Sequence, residues 1–197
     1  MTARFIRIGL AAAAALVMAA PWGGAGVAQA TQEGASCTLA GAANLSPGLS
    51  TTSQAFQYAF AGSLSSCAST DSTIASGMVF AGSPAGTITG SGPFPTGSGS
   101  CASSPTSGVA VVQWNNGKTT VISYSTTGAL AEVALQGSVI ASTVVNGITY
   151  TTTEFAPGEQ SGAELVFSIP TGSGEDCATV PVTNANINGQ TAVGSAQ

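Results

Sequence analysis

GVAVVQWNNGKTTVISY, running from Gly108 to Tyr124, places two β-rich runs on either side of Asn116-Gly117. Asn and Gly both tolerate positive φ, which a two-residue type I′ hairpin turn demands at each central position. Taken as that turn, the dipeptide fixes a register. Trp114 faces Thr119, Val112 faces Val121, Val111 faces Ile122 and Val109 faces Tyr124. Apolar residues then fall on both faces, so the hairpin is expected to be covered on both sides, like a central pair in a two-layer structure.

Outward from this hairpin, helical periodicity is absent after residue 30, and short alternating runs bounded by Gly, Ser, Pro and Asn take its place. Upstream, Cys37 to Leu45 reads as a strand ended by Ser46-Pro47-Gly48. Ala55 to Ser66 is a second, with Phe56, Tyr58 and Phe60 on one core face, and Ile74 to Ala81 a third. Gly82 to Gly108 is low in complexity and reads as a long surface connection with one short edge strand at Thr87 to Thr89. Downstream come Leu130 to Ile140, then Ser142 to Val145 and Ile148 to Thr153 about a second turn at Asn146-Gly147, then Glu164 to Ile169. Asn184 to Gln197 is weakly hydrophobic and is expected to hold one short strand before fraying. Roughly eight to ten short strands predict an all-β fold: an immunoglobulin-like antiparallel β-sandwich, with a closed β-barrel as the alternative.

Met1 to Ala30 reads as a secretory signal peptide. Arg4 and Arg7 supply its positive start, Ile8 to Ala20 its apolar stretch, and Ala28-Gln29-Ala30 its cleavage site. That stretch spans about 20 Å as a helix, short of the roughly 30 Å of a bilayer core. Residues 31–197 are then a single domain, free of any membrane span and extracellular. Export makes the four Cys residues a disulfide framework. If the first two strands form a hairpin, Cys37 and Cys67 meet at its open end, leaving Cys101 to pair with Cys177. No C-x-x-C pair and no His is present, so a zinc site is not expected.

Charged residues make up 6% of the chain, with Lys plus Arg 3, Asp plus Glu 8 and no His; an ordinary globular chain has about 25%. Beyond the leader, Lys118 is the one basic residue, so there is no basic stripe to displace counterions from a nucleic acid. A Ser nucleophile lacks a base other than Lys118, and no G-x-S-x-G elbow occurs. Glu154, Glu159 and Glu164 cluster in sequence, but nothing sets them across a groove, and they read as solvated acids. Glu175-Asp176 lacks the further oxygen ligands that calcium takes. No catalytic residue, metal or cofactor is therefore expected. The aromatic candidates for a contact surface are Trp114, Tyr124 and Tyr150; for Trp114 the competing reading is a cap on the core edge beside the turn.

The run W-x-x-G-x-T-T-V-x-S-Y-S-T-T-G from Trp114 to Gly128, with the opening C-T-L-A-G-x-A-x-L-S-P-G-L from Cys37, resembles small secreted actinobacterial proteins of unassigned function. The resemblance implies a disulfide-bonded β-sandwich and brings no catalytic residues. In composition the chain is also similar to the enediyne apoproteins of the neocarzinostatin type, which are acidic, secreted and rich in Gly, Ala and Thr. The expected function is non-enzymatic contact with an extracellular protein or a cell-surface polymer; the alternative is carriage of a small molecule in a cleft between sheets. With a sequence pI near 4.2 and so few charges, solubility is expected to be lowest near pH 4. Precipitation curves that are no steeper at pH 4 than at pH 7 would contradict this.

Overall fold

The computed structural model describes residues 34–90, 92–129 and 131–194; the proposed signal peptide lies outside them. Eleven strands follow one another in chain order, and no helix occurs among the described residues. They are β1 (Gly34–Leu49), β2 (Gln54–Ser69), β3 (Gly77–Ala81), β4 (Thr96–Gly99), β5 (Thr106–Trp114), β6 (Thr119–Ala129), β7 (Glu132–Ile140), β8 (Ser142–Val145), β9 (Ile148–Thr151), β10 (Gln160–Ser168) and β11 (Val182–Gly194).

The long strands β1 and β2 form an antiparallel hairpin, Gly41 opposite Gly62. β1 also pairs along its other edge with β11, Gly41 opposite Ile187. From there the sheet runs β11-β10-β7-β6-β5-β3-β2, which returns it to β1. The sheet therefore closes into a barrel of eight staves, every pairing antiparallel. The short β3 leaves part of the gap between β2 and β5 open, and β4 fills it, pairing with Gln54–Gln57 of β2 and with Ser107 and Thr106 of β5.

Closure corrects the expectation of an immunoglobulin-like sandwich in favour of the barrel. The physical reason is the segment expected to fray. From Asn184 it reads N-A-N-I-N-G-Q-T-A-V, a strict alternation whose Ala185, Ile187 and Val193 are buried while Asn184 and Gln190 reach solvent or the rim. Filling the space between β1 and β10, it removes the two free edges a sandwich would keep. The region read as a surface connection likewise contributes a wall strand, β4, downstream of the proposed edge strand at Thr87 to Thr89.

The hairpin that decided the reading is present, shifted by one residue. Gln113 pairs with Thr119, Val112 with Thr120, Val111 with Val121 and Ala110 with Ile122. Only Gly117 has positive φ; the Trp114 and Lys118 backbones bond across a three-residue loop, as in a type I turn completed by a left-handed Gly. Asn115 is held out of a two-residue turn by the 73–76 segment: its Oδ1 accepts the N–H groups of Ala75 and Ser76 at 2.9 and 3.0 Å. At Asn146-Gly147, by contrast, both φ are positive, at 50° and 78°, and Val145 pairs with Ile148 across a two-residue turn.

In the observed register Ala110, Val112 and Trp114 face the barrel interior with Ile122 and Tyr124. Val111 faces outward with Phe80 and is covered by Val145 of β8 and Tyr150 of β9. The two-stranded β8–β9 sheet thus supplies the second layer that the two-sided apolar pattern called for.

Barrel curvature demands small residues where strands bend over bulky interior groups. A Cβ on Gly41 would lie 2.6 Å from the Phe60 ring and 2.6 Å from the Ala61 carbonyl oxygen. Gly41→Val is expected to cost about 1–3 kcal/mol through overpacking, a loss of roughly 2–4 °C in Tm per kcal/mol for a domain of this size. An unchanged melting temperature would show that the interior does not press on β1.

Candidate functional site: the barrel interior

The inner wall is built by alternation. Every second residue of each stave faces inward, and the inward set mixes large groups (Phe56, Phe60, Ile122) with small ones (Ala43, Ala81, Ala163). The small positions leave an internal cavity of about 110 Å³, walled by Leu45, Phe56, Ile122, Leu135, Leu165 and Ile187 among others. An eight-stranded barrel has room either to fill itself with side chains or to hold one small ligand; this one retains space.

One side of the cavity is polar. Tyr58 of β2, Thr106 of β5, and Tyr124 and Thr126 of β6 all line it. Their hydroxyls form a chain: Tyr124 Oη to Tyr58 Oη at 2.6 Å, Tyr58 Oη to Thr106 Oγ1 at 3.2 Å, and Thr106 Oγ1 to Thr126 Oγ1 at 2.7 Å. The backbone N–H of Thr106 also donates to Thr126 Oγ1 at 3.0 Å. Register brings these groups together, since Thr106 and Thr126 are direct partners across β5–β6 and Tyr124 lies one inward step away. Burial pushes the Tyr58 phenol up, against the pull of its two hydrogen bonds. Tyr124 is raised well above the ordinary phenol value, by burial first and then by the neighbouring Tyr58. Both phenols are neutral at physiological pH.

The two ends of the barrel are sealed differently. At one end Trp114 is 5% exposed, donates its indole N–H to Thr120 Oγ1 at 2.8 Å, and meets Phe155 edge-on at a centroid distance of 5.9 Å. The Cys37–Cys67 bridge joins β1 to β2. The other disulfide, Cys101–Cys177, links the segment before β5 to the one between β10 and β11, which leave the barrel at its opposite end. Ser104, from that first segment, reaches the cavity.

Both disulfides pair as the sequence implied. The three aromatics proposed as a contact surface do not form one. Trp114 caps the core, Tyr124 is buried in the cavity wall, and Tyr150 packs its ring edge-on against Phe80 on the outside of the barrel, centroids 5.3 Å apart. Each packs against a partner distant in sequence, Phe155, Tyr58 and Phe80 respectively; Trp114 and Tyr124 are buried and Tyr150 half-buried.

The acids also separate. Glu132 and Glu164 are exposed, whereas Glu154, expected in solvent, is 2% exposed. Its backbone N–H donates to the Thr119 carbonyl at 3.0 Å, pulling the side chain under the β5–β6 turn. There its carboxylate meets Lys118 Nζ at 3.0 Å and accepts the Asn116 Nδ2 hydrogen bond at 3.1 Å. Lys118 also approaches Asp71 at 3.8 Å. Glu175 directs its oxygens to Thr183 and Asn184 at the start of β11, and Asp176 to Thr179 and Val180 of its own loop. Hydrogen bonds led by the Thr183 hydroxyl lower Glu175, and those from Thr179 and Val180 hold Asp176 down to about 2.

Tyr58, Thr106 and Thr126 are the site residues that sequence reasoning did not single out. The period-two run Phe56-x-Tyr58-x-Phe60 marked Tyr58 as core, but its hydroxyl partners come from other strands. Compared with known proteins, the chain matches no family model, no curated protein and no solved structure.

The raised phenols have a consequence for stability. A group whose folded pKa exceeds its unfolded one stabilises fully below the unfolded value, near 10 for Tyr, and that contribution is lost as pH rises beyond it. The urea midpoint is therefore expected to fall above pH 10, with phenolate absorbance from Tyr58 and Tyr124 developing only as native circular dichroism is lost. Ionisation of both in the intact fold would contradict their burial.

Proposed function

We propose that the protein is a non-enzymatic, extracellular carrier that holds one small, largely apolar molecule inside its barrel. The single observation that carries this reading is the cavity itself: apolar on most sides, bounded by a rigid closed sheet, with four hydroxyls converging on one wall. Small-molecule sites have this make-up, a mostly apolar concavity with few placed polar groups. Two disulfides suit an exported chain, in keeping with the resemblance to secreted actinobacterial proteins. The alternative noted for the sequence moves ahead, with the barrel interior in place of a cleft between sheets.

Contact with an extracellular protein or surface polymer is the second reading. Closure removes most of the sheet edge that strand addition would use. What favours it is the β8–β9 sheet, which keeps unpaired outer edges and exposes Val144 and Ile148 at 50% and 57%.

Native mass spectrometry of protein secreted by its own host distinguishes the two. Carriage predicts a bound small molecule that disappears in Ala163→Leu, whose added carbons enter the cavity. A bare chain that also fails to take up added xenon, an apolar probe smaller than benzene, would overturn carriage, and a co-purifying stoichiometric protein would favour contact.

A further inference from the structure

We infer that the cavity selects an uncharged molecule of about four to six non-hydrogen atoms bearing one hydrogen-bond acceptor, which receives its hydrogen bond from the Tyr58–Tyr124 phenol pair. The inference rests on the carriage reading and adds the ligand's chemical class to it.

The argument is a count of protons. Tyr124, Tyr58, Thr106 and Thr126 bring four hydroxyl protons, one each. Three links join their oxygens, at 2.6, 3.2 and 2.7 Å, and each link consumes one proton. Among the described residues, none of the four hydroxyls donates to a backbone carbonyl. One proton is thus left without a protein acceptor, whichever way the chain is oriented, and all four residues border the cavity. Thr126 already accepts the Thr106 N–H, so it completes its bonding by donating along the chain. The chain then runs from Thr126 through Thr106 to Tyr58, and the spare proton falls on the Tyr58–Tyr124 pair, whose 2.6 Å link either phenol can donate. A phenol is also a stronger donor than an aliphatic hydroxyl, so a bound acceptor favours that orientation.

Charge and size follow from the same wall. No Asp, Glu, Lys or Arg is among the described residues lining the cavity, so an ion entering it would lose hydration without gaining a counter-charge. The cavity of about 110 Å³ is somewhat smaller than one of about 150 Å³ that accepts benzene. The remaining wall is mainly apolar, with Leu135, Leu165 and Ile187 among its residues; of its hydroxyls, those of Ser161 and Thr191 donate to the Ala192 and Gly162 carbonyls, and Ser104 sits beside the Cys101–Cys177 end.

Four probes of equal non-hydrogen atom count test this by NMR titration of the full domain: cyclobutanone, methylcyclobutane, propanoate and cyclobutylammonium. After correction for transfer from water, cyclobutanone is expected to bind at least 5-fold more tightly than methylcyclobutane, and the two ions at least 10-fold more weakly than cyclobutanone. Tyr58→Phe/Tyr124→Phe is expected to abolish the preference for the ketone while leaving methylcyclobutane bound. Should that variant not fold, the carbonyl stretch of cyclobutanone bound to the unaltered protein decides, since a hydrogen bond lowers it below its value in alkane. An unshifted stretch, an unchanged preference in the double variant, or tightest binding of either ion would overturn the inference while carriage stands. Silence from all four probes would instead remove carriage itself.

Discussion

The double pairing of β1 governs the molecule. Along one edge it meets β2, along the other β11, and the remaining staves connect those two partners. A sheet with eight staves and no free edge must curve, and curvature places alternate residues of every strand around a common axis. The interior, its cavity and the convergence of Tyr58, Thr106, Tyr124 and Thr126 all follow from that closure. None of these residues is near its partners unless β2, β5 and β6 belong to one curved wall.

Closure also divides the polar labour of a chain with very few charges. Outside, the Asn and Gln side chains of β11 and the Gln side chains of β7 and β10 meet water, while acids such as Glu132 and Glu164 give the surface its sign. The side-chain polarity of the cavity wall is confined to neutral hydroxyls, four of them linked in one chain. The exception is Glu154, which enters the turn region at the Trp114 end with Lys118 and Asn116 as partners. It therefore serves the cap of the barrel, and the cavity wall stays uncharged.

How far the sequence discloses this depends on whether the deciding contact is local. The Asn146-Gly147 turn is read correctly because its conformation is set by two residues. The turn at Asn116-Gly117 is misread by one position because Asn115 is claimed by Ala75 and Ser76, about forty residues away in the chain. The first disulfide is legible from a hairpin, and the second by elimination. β11 carries a clear period-two pattern, but its outward Asn residues make the segment polar enough to suggest a frayed end. Trp114 and Tyr124 look like surface aromatics until Phe155 and Tyr58 arrive from elsewhere to bury them, and Tyr150 until Phe80 takes up part of its ring. The cavity is illegible in the sequence, because it is the volume left over when eight inward faces meet.

Residue-resolved amide hydrogen exchange along β1 bears most directly on this account. A strand paired on both sides bonds its successive N–H groups alternately to its two neighbours, so consecutive amides from Leu39 to Ala43 should all be strongly protected. Protection of every second amide, with its neighbours exchanging at rates typical of solvent-facing groups, would make β1 an edge strand and open the barrel.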